Sequence, residues 1–228
     1  MQTLEGADVI FLNGAGLEEA MESALSAVDG AHIIDCSEGI ELLAAGEHHA
    51  DSSHEEADPH IWMDPNRACA MLTNIADGLA SLDPDHADAF QANAQAAAEQ
   101  IRTACTEMKA QLANLPTRDL ITFHDGFQYF SQAFDLTILR AIEEEAGSEA
   151  SAKEVGEIMA EVEQHRLPAV FTESNGSTAT AEMIARECGI GVASLDLIMS
   201  RAHDGSAGIG VYLSRLADNV TTIREAYS

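Results

Sequence analysis

Asp58-Pro59-His60-Ile61-Trp62-Met63-Asp64-Pro65 holds one histidine between two prolines and beside the only tryptophan of the chain. It follows directly on Gly46 to Ala57, a polar run that carries His48, His49 and His54 among carboxylates. An imidazole fixed in so constrained a segment has the chemistry of a divalent-metal ligand, and His60 is read as one. The run before it, long and without apolar anchors, reads as a mobile acidic loop.

Further donors have to come from elsewhere in the chain. His124 follows the apolar run Leu120-Ile121-Thr122-Phe123, Glu173 follows Ala169-Val170-Phe171-Thr172, and Asp196 follows Gly191-Val192-Ala193-Ser194-Leu195. Each thus sits at the carboxyl end of a strand, where open α/β sheets form their ligand crevices, so the three can converge on one sheet edge. Taken alone, His124 is balanced between ligand and capping residue. Imidazole with a carboxylate favours zinc over calcium or magnesium, which prefer oxygen, and disfavours thiolate-selected copper(I). Such ligands bind deprotonated, so affinity should fall as pH drops through the histidine range. Asp58, Asp64 and Asp125 are read as helix caps or as acceptors for the imidazoles rather than as ligands.

The elements that must position these residues follow from periodicity. Ala7 to Leu12 and Ala31 to Asp35 read as short strands, Leu17 to Val28 as an amphipathic helix, and Ser37 to Ala45 as a helix or a turn of one. His32, inside the second apolar run, is read as a strand histidine, not a ligand. Asn13-Gly14-Ala15-Gly16 lacks the third glycine or the Gly-Lys-Ser/Thr of a phosphate loop and is read as a structural turn. Asn66 to Leu82 has helical spacing behind an Asp64-Pro65 start. Asp85 to Leu115 contains neither glycine nor proline and is expected to form one long linking helix. Beyond it strands and helices alternate: Thr137 to Arg140, a helix capped by Ser151 and Glu154, the strands before Glu173 and Asp196 with a helix Ala179 to Cys188 between them, and a closing helix Tyr212 to Tyr227. The expected fold is α/β. It comprises two lobes, residues 1–84 and 116–228, each with a mostly parallel sheet flanked by helices, joined by the long helix 85–115. A metal site built from His60 and from His124 and Asp196 would then lie in a cleft between lobes.

Composition bounds the function. Lys+Arg number 11 against 39 Asp+Glu, a formal net charge of −28, which repels nucleic acid and anionic lipid and attracts cations. Adaptation to salt accounts for that bulk charge better than a metal site does, since a tight site needs only a few ligands. No apolar run approaches the roughly 18 residues of a membrane span, and Met1-Gln2-Thr3-Leu4-Glu5 has no secretory-signal character, so the chain as given reads as soluble. Cys36, Cys69, Cys105 and Cys188 show no metal-knuckle spacing and read as small apolar residues, with one or two disulfides as the alternative.

Asn13-Gly14-Ala15-Gly16-Leu17-Glu18, Asp58 to Pro65, Thr122 to Phe130, Phe171-Thr172-Glu173-Ser174 and Leu195-Asp196 occur in an order that resembles the zinc and manganese solute-binding proteins of ABC importers. The resemblance runs over essentially the whole chain. It implies a receptor, not an enzyme, that is periplasmic or tethered to the outer face of the cytoplasmic membrane. The receptor is expected to be a monomer that captures Zn2+ and delivers it to a membrane permease. On the family pattern His60 and His124 match histidine ligands and Asp196 the carboxylate ligand. The position of His124 is histidine in zinc-type and often glutamate in manganese-type members, which makes Mn2+ the second candidate. Family members carry a further N-terminal stretch with a signal sequence, a strand, a helix and another histidine ligand. Either this sequence is a truncated product, or water or a loop histidine (His48, His49 or His54), with Glu173 a further candidate, completes the site.

Two other classes use the same residues. A zinc hydrolase would hold the metal with an open water position and Glu173 as general base, but no H-E-x-x-H or nucleophile elbow is present. A surface adhesin would use the metal only for stability.

Overall fold

Short apolar runs ending in turn residues form parallel strands throughout the chain, and the amphipathic runs between them form the covering helices. A computed structural model describes residues 6–28, 30–44, 57–143, 150–173, 178–199 and 207–228. Its chain divides into two compact units, residues 1–102 and 103–228, with the division inside the long helix Ala87–Gln111. That helix is about 38 Å long at about 1.5 Å per residue. It is shorter than the expected 85–115 at both ends, because Pro84–His86 forms a separate 3-10 turn before it and residues 112–114 form turns after it.

In the first unit β1 (Val9–Leu12) pairs in parallel with β2 (His32–Asp35), Ile10 opposite Ile33. The connection departs from the expected helix Leu17 to Val28: it is a 3-10 turn at Glu19–Met21 followed by a single helical turn, α1 (Glu22–Leu25). Leu17 and Met21 stay 41% and 48% exposed and only Leu25 is buried, so the apolar spacing has no core to face. In place of the expected helix or turn of one at Ser37 to Ala45, residues 36–39 form turns and 40–43 run irregularly, with Gly39 at φ 72° ending any helical path. Helix α2 (Pro65–Leu82) starts as expected, Asp64 accepting the Asn66 N–H at 2.7 Å and Pro65 filling the first turn. It lies close on β2 through Gly78, where a Cβ would come 2.4 Å from Ile34 Cδ1. Asn74 fastens it further by donating to the carbonyls of Cys36 and Glu38, both at 2.9 Å. The core beneath is Ile10, Leu25, Cys36, Ile61, Met63 and Cys69.

The second unit begins with the remainder of α3 (Ala87–Gln111). Strand β3 (Asp119–Thr122) pairs in parallel with β4 (Thr137–Ala141), with an irregularity after Leu120, and α4 (Gln128–Ala133) connects them. Helix α5 (Ala152–His165) carries the expected capping box, Ser151 Oγ accepting from Glu154 N at 3.3 Å and Glu154 accepting from Ser151 N at 2.6 Å. Strand β5 (Ala169–Glu173), α6 (Ala179–Cys188) and β6 (Gly191–Leu195) form a parallel βαβ unit with Glu173 opposite Leu195, and α7 (Ile209–Ala226) closes the chain. The β3–β4 and β5–β6 pairs are separate two-stranded parallel sheets; β3 packs against β5, and the hydrogen bond between His124 and Glu173 brings their carboxyl ends together, with β6 ending beside β5. Ile121, Phe123, Ile158, Val162, Val170 and Ile184 form the core below these strand ends. None of the four cysteines is in a disulfide, and Cys36, Cys69 and Cys105 are buried, in keeping with their reading as apolar residues.

Candidate metal centre

His60 sits on the turn between Asp58 and the 3-10 segment Ile61–Met63 that leads into α2. Pro59 fixes the backbone before it, and Trp62 packs against its ring with centroids 5.2 Å apart. Asp58, 3% exposed, holds the imidazole: its Oδ1 accepts the His60 backbone N–H at 2.9 Å and lies 2.7 Å from Nδ1. With Nδ1 carrying the proton toward Asp58, the lone pair a metal would use is on Nε2. The segment has two further anchors. Asp58 N–H donates to the Leu43 carbonyl at 2.9 Å, and Asn13 Nδ2 donates to the Pro59 carbonyl at 2.9 Å. Asp64, the helix cap, also takes Arg67 Nη1 at 2.6 Å, which identifies it as a structural acceptor.

In the second unit His124 lies just past β3, where the ladder to the β4 side continues through Ile142 N to Thr122 O at 2.8 Å and Glu143 N to Phe123 O at 2.7 Å. Its Nδ1 is hydrogen-bonded to Glu173 Oε1 at the end of β5. Both side chains are largely covered, at 21% and 15% exposure. The adjacent β3 and β5 therefore bring together two of the sequence candidates, and they give them different tasks. Glu173 orients the ring as Asp58 does for His60, and Nε2 of His124 is again the nitrogen that a metal would use. Gly126 makes room at that atom: a Cβ there would stand 2.9 Å from His124 Nε2 and 3.0 Å from Leu197 Cδ2. Asp125 accepts from Gln128 Nε2 at 2.8 Å at the start of α4.

Asp196 follows β6 directly. Its Oδ1 accepts the Ile198 N–H at 2.8 Å and its Oδ2 meets Arg215 Nε of α7 at 3.2 Å. Asn219, 2% exposed, brackets the residue from both sides: Oδ1 accepts the Asp196 N–H and Nδ2 donates to the Asp196 carbonyl, each at 2.8 Å. Among the described residues no group of three or more His, Cys, Asp and Glu side chains stands together as a ready cage. His48, His49 and His54 lie outside the described residues. Residue-by-residue reading missed Asn219, Arg215 and the long reach of Asn13. Asn219 did leave a signal, a polar residue on the buried face of α7 between Leu216, Val220 and Ile223.

Each of the two imidazoles, His60 in the first unit and His124 in the second, is backed by a carboxylate at Nδ1. The family model described as zinc-uptake complex component A, periplasmic (ZnuA), matches residues 1–226. The chain belongs to this family. A crystal structure of ZnuA is 33% identical with a TM-score of 0.86, over 99% of this chain and 82% of that one. Among curated relatives the ZnuA-type chain is 27% identical to the iron-binding protein YfeA of Yersinia pestis, over 98% of this chain and 71% of the relative. It is 24% identical to the manganese-binding lipoprotein MntA of Halalkalibacterium halodurans, over 97% and 72%. Relatives are thus named for more than one divalent metal, and the family consists of solute-binding transport proteins with the two-lobed α/β fold.

Proposed function

We propose that this ZnuA-family chain is an extracytoplasmic receptor that captures Zn2+ and delivers it to the permease of an ABC importer. His60 of the first unit and His124 and Asp196 of the second would be its ligands. The observation that carries the proposal is the repeated pairing of an imidazole with a carboxylate at Nδ1, Asp58 on His60 and Glu173 on His124. Such a pairing fixes the tautomer and the orientation of the ring and leaves Nε2 as the metal-facing nitrogen. Two imidazoles and one carboxylate suit zinc, whereas a manganese receptor is better served by more oxygen. The use of Glu173 to orient His124 also speaks against its service as the general base of a hydrolase. The protein would act as a monomer, periplasmic or tethered to the outer face of the cytoplasmic membrane.

Calorimetric titration with Zn2+ and with Mn2+ tests the reading. Tight zinc binding that outcompetes manganese and falls by orders of magnitude in His60→Ala and His124→Ala is expected. Wild-type zinc affinity in either variant would exclude that residue from the site. Preferred binding of manganese would move the protein to the other branch.

A further inference from the structure

The turn after β1 is built with unusual care for a simple connection. Gly14, Ala15 and Gly16 take φ values of 78°, 52° and 85°, which turns the chain tightly and brings the Asn13 and Gly14 N–H groups to one concave side. Glu18 fills it from within: Oε1 accepts the Asn13 N–H at 2.8 Å and Oε2 the Gly14 N–H at 3.1 Å. The Ala15 N–H is taken by Ser37 Oγ at 3.0 Å, and Ser37 Oγ in turn donates to Asp35 Oδ1 at 2.7 Å. Gly14 admits no side chain, since a Cβ would fall 1.9 Å from Asp35 Oδ1.

A loop fixed at so many points holds one outward-reaching side chain still. Asn13 Nδ2 donates to its own neighbour, the Gly14 carbonyl, at 2.9 Å and, across 46 residues of sequence, to the Pro59 carbonyl at 2.9 Å. Both acceptors are carbonyls, which fixes which end of the amide faces them. Pro59 immediately precedes His60, and its ring already restricts φ, so the carbonyl that Asn13 grips belongs to the peptide bond that leads into His60. Metal–ligand distances tolerate only about 0.2 Å of error, so a segment that can drift loses affinity even with its ligand intact.

We propose that Asn13, locked by the Glu18 carboxylate in the turn, is a positioning residue for metal capture that sets where the His60 ring is presented. This rests on the reading of His60 as a ligand. The acidic filling of the turn means that the Gly14-x-Gly16 segment clamps the protein's own backbone and is closed to phosphate.

The test is a double-mutant cycle on the full chain, read by competition with a chromogenic chelator for Zn2+ and by the visible absorption of the Co2+ complex. Asn13→Ala is expected to weaken zinc binding about tenfold, within the range for groups that orient metal ligands, and to shift the cobalt bands. In the His60→Ala background the same change is expected to have less than a twofold effect, because the ring it positions is gone. Glu18→Gln, which weakens the lock but keeps its shape, should fall between wild type and Asn13→Ala. An equal loss from Asn13→Ala in both backgrounds, or no loss in the wild-type background, would overturn the positioning role. If His60→Ala itself binds zinc as tightly as wild type, the ligand reading fails, and the proposal with it.

Discussion

Asp58 Oδ1 lies 2.7 Å from Nδ1 of His60 and accepts the backbone N–H of the same residue at 2.9 Å. One oxygen thus fixes both the ring and its peptide. Asp58→Asn keeps the size and removes the charge, so zinc affinity should drop by about 10- to 100-fold with the imidazole still present. Chelator competition at pH 7.5 measures this, and an unchanged affinity would show that the carboxylate is only a turn residue.

Gly126→Ala should act on the other imidazole. The added methyl would press on His124 Nε2 from 2.9 Å and on Leu197, so either the ring or the leucine has to move. We expect zinc affinity about tenfold lower than wild type, with the unfolding temperature of the metal-free protein lowered by a few degrees at most. A large thermal loss with normal affinity would place the strain on Leu197 instead.

Asn219→Ala leaves the backbone N–H and carbonyl of Asp196 without their side-chain partner. Unmaking buried hydrogen bonds of this kind costs about 1–3 kcal/mol, and the carboxylate loses its fixed mount. Urea unfolding should report the first effect and zinc titration the second. Asn219→Asp, which keeps the acceptor and loses the donor, should retain part of both.

Burial raises the Cys36 thiol to about 11 from its ordinary 9.0, with the Asp35 and Glu18 carboxylates adding to the shift. The folded state therefore holds this proton over a range in which the unfolded chain has lost it. The contribution is complete below about pH 9 and disappears as pH rises toward 11. Stability measured by urea midpoint should fall between these values, and the fall should be shallower in Cys36→Ala. Tyr227, raised by burial and by Asp119, acts in the same direction at the high end. An identical slope in wild type and Cys36→Ala would remove the thiol from the account.

The second unit was the more legible in the sequence. Ala179 to Cys188 and Gly191 to Leu195 coincide with their elements because Gly189 in the left-handed region ends the helix, Ala181, Ile184 and Ala185 give it a buried face, and Leu195 anchors the strand in the core. Leu17 to Val28 misled because its helical spacing is real while its partner surface is lacking: Leu17 and Met21 remain exposed, and Glu18 is drawn back into the turn before it. His124 and Glu173 were legible as neighbours at strand ends, yet not as a hydrogen-bonded pair, since that depends on β3 lying next to β5. The contacts Asn13 to Pro59 and Asn219 to Asp196 span 46 and 23 residues, and nothing in local periodicity encodes them.

Ala44 and Ala57 pair across a single antiparallel bridge, and the Asp58 N–H closes onto the Leu43 carbonyl at 2.9 Å beside it. The two ends of the histidine-bearing segment are thereby stitched together before the chain reaches His60. Any change in the segment between them is thereby uncoupled from the Asp58–His60 turn, which is held from its own side by Asn13.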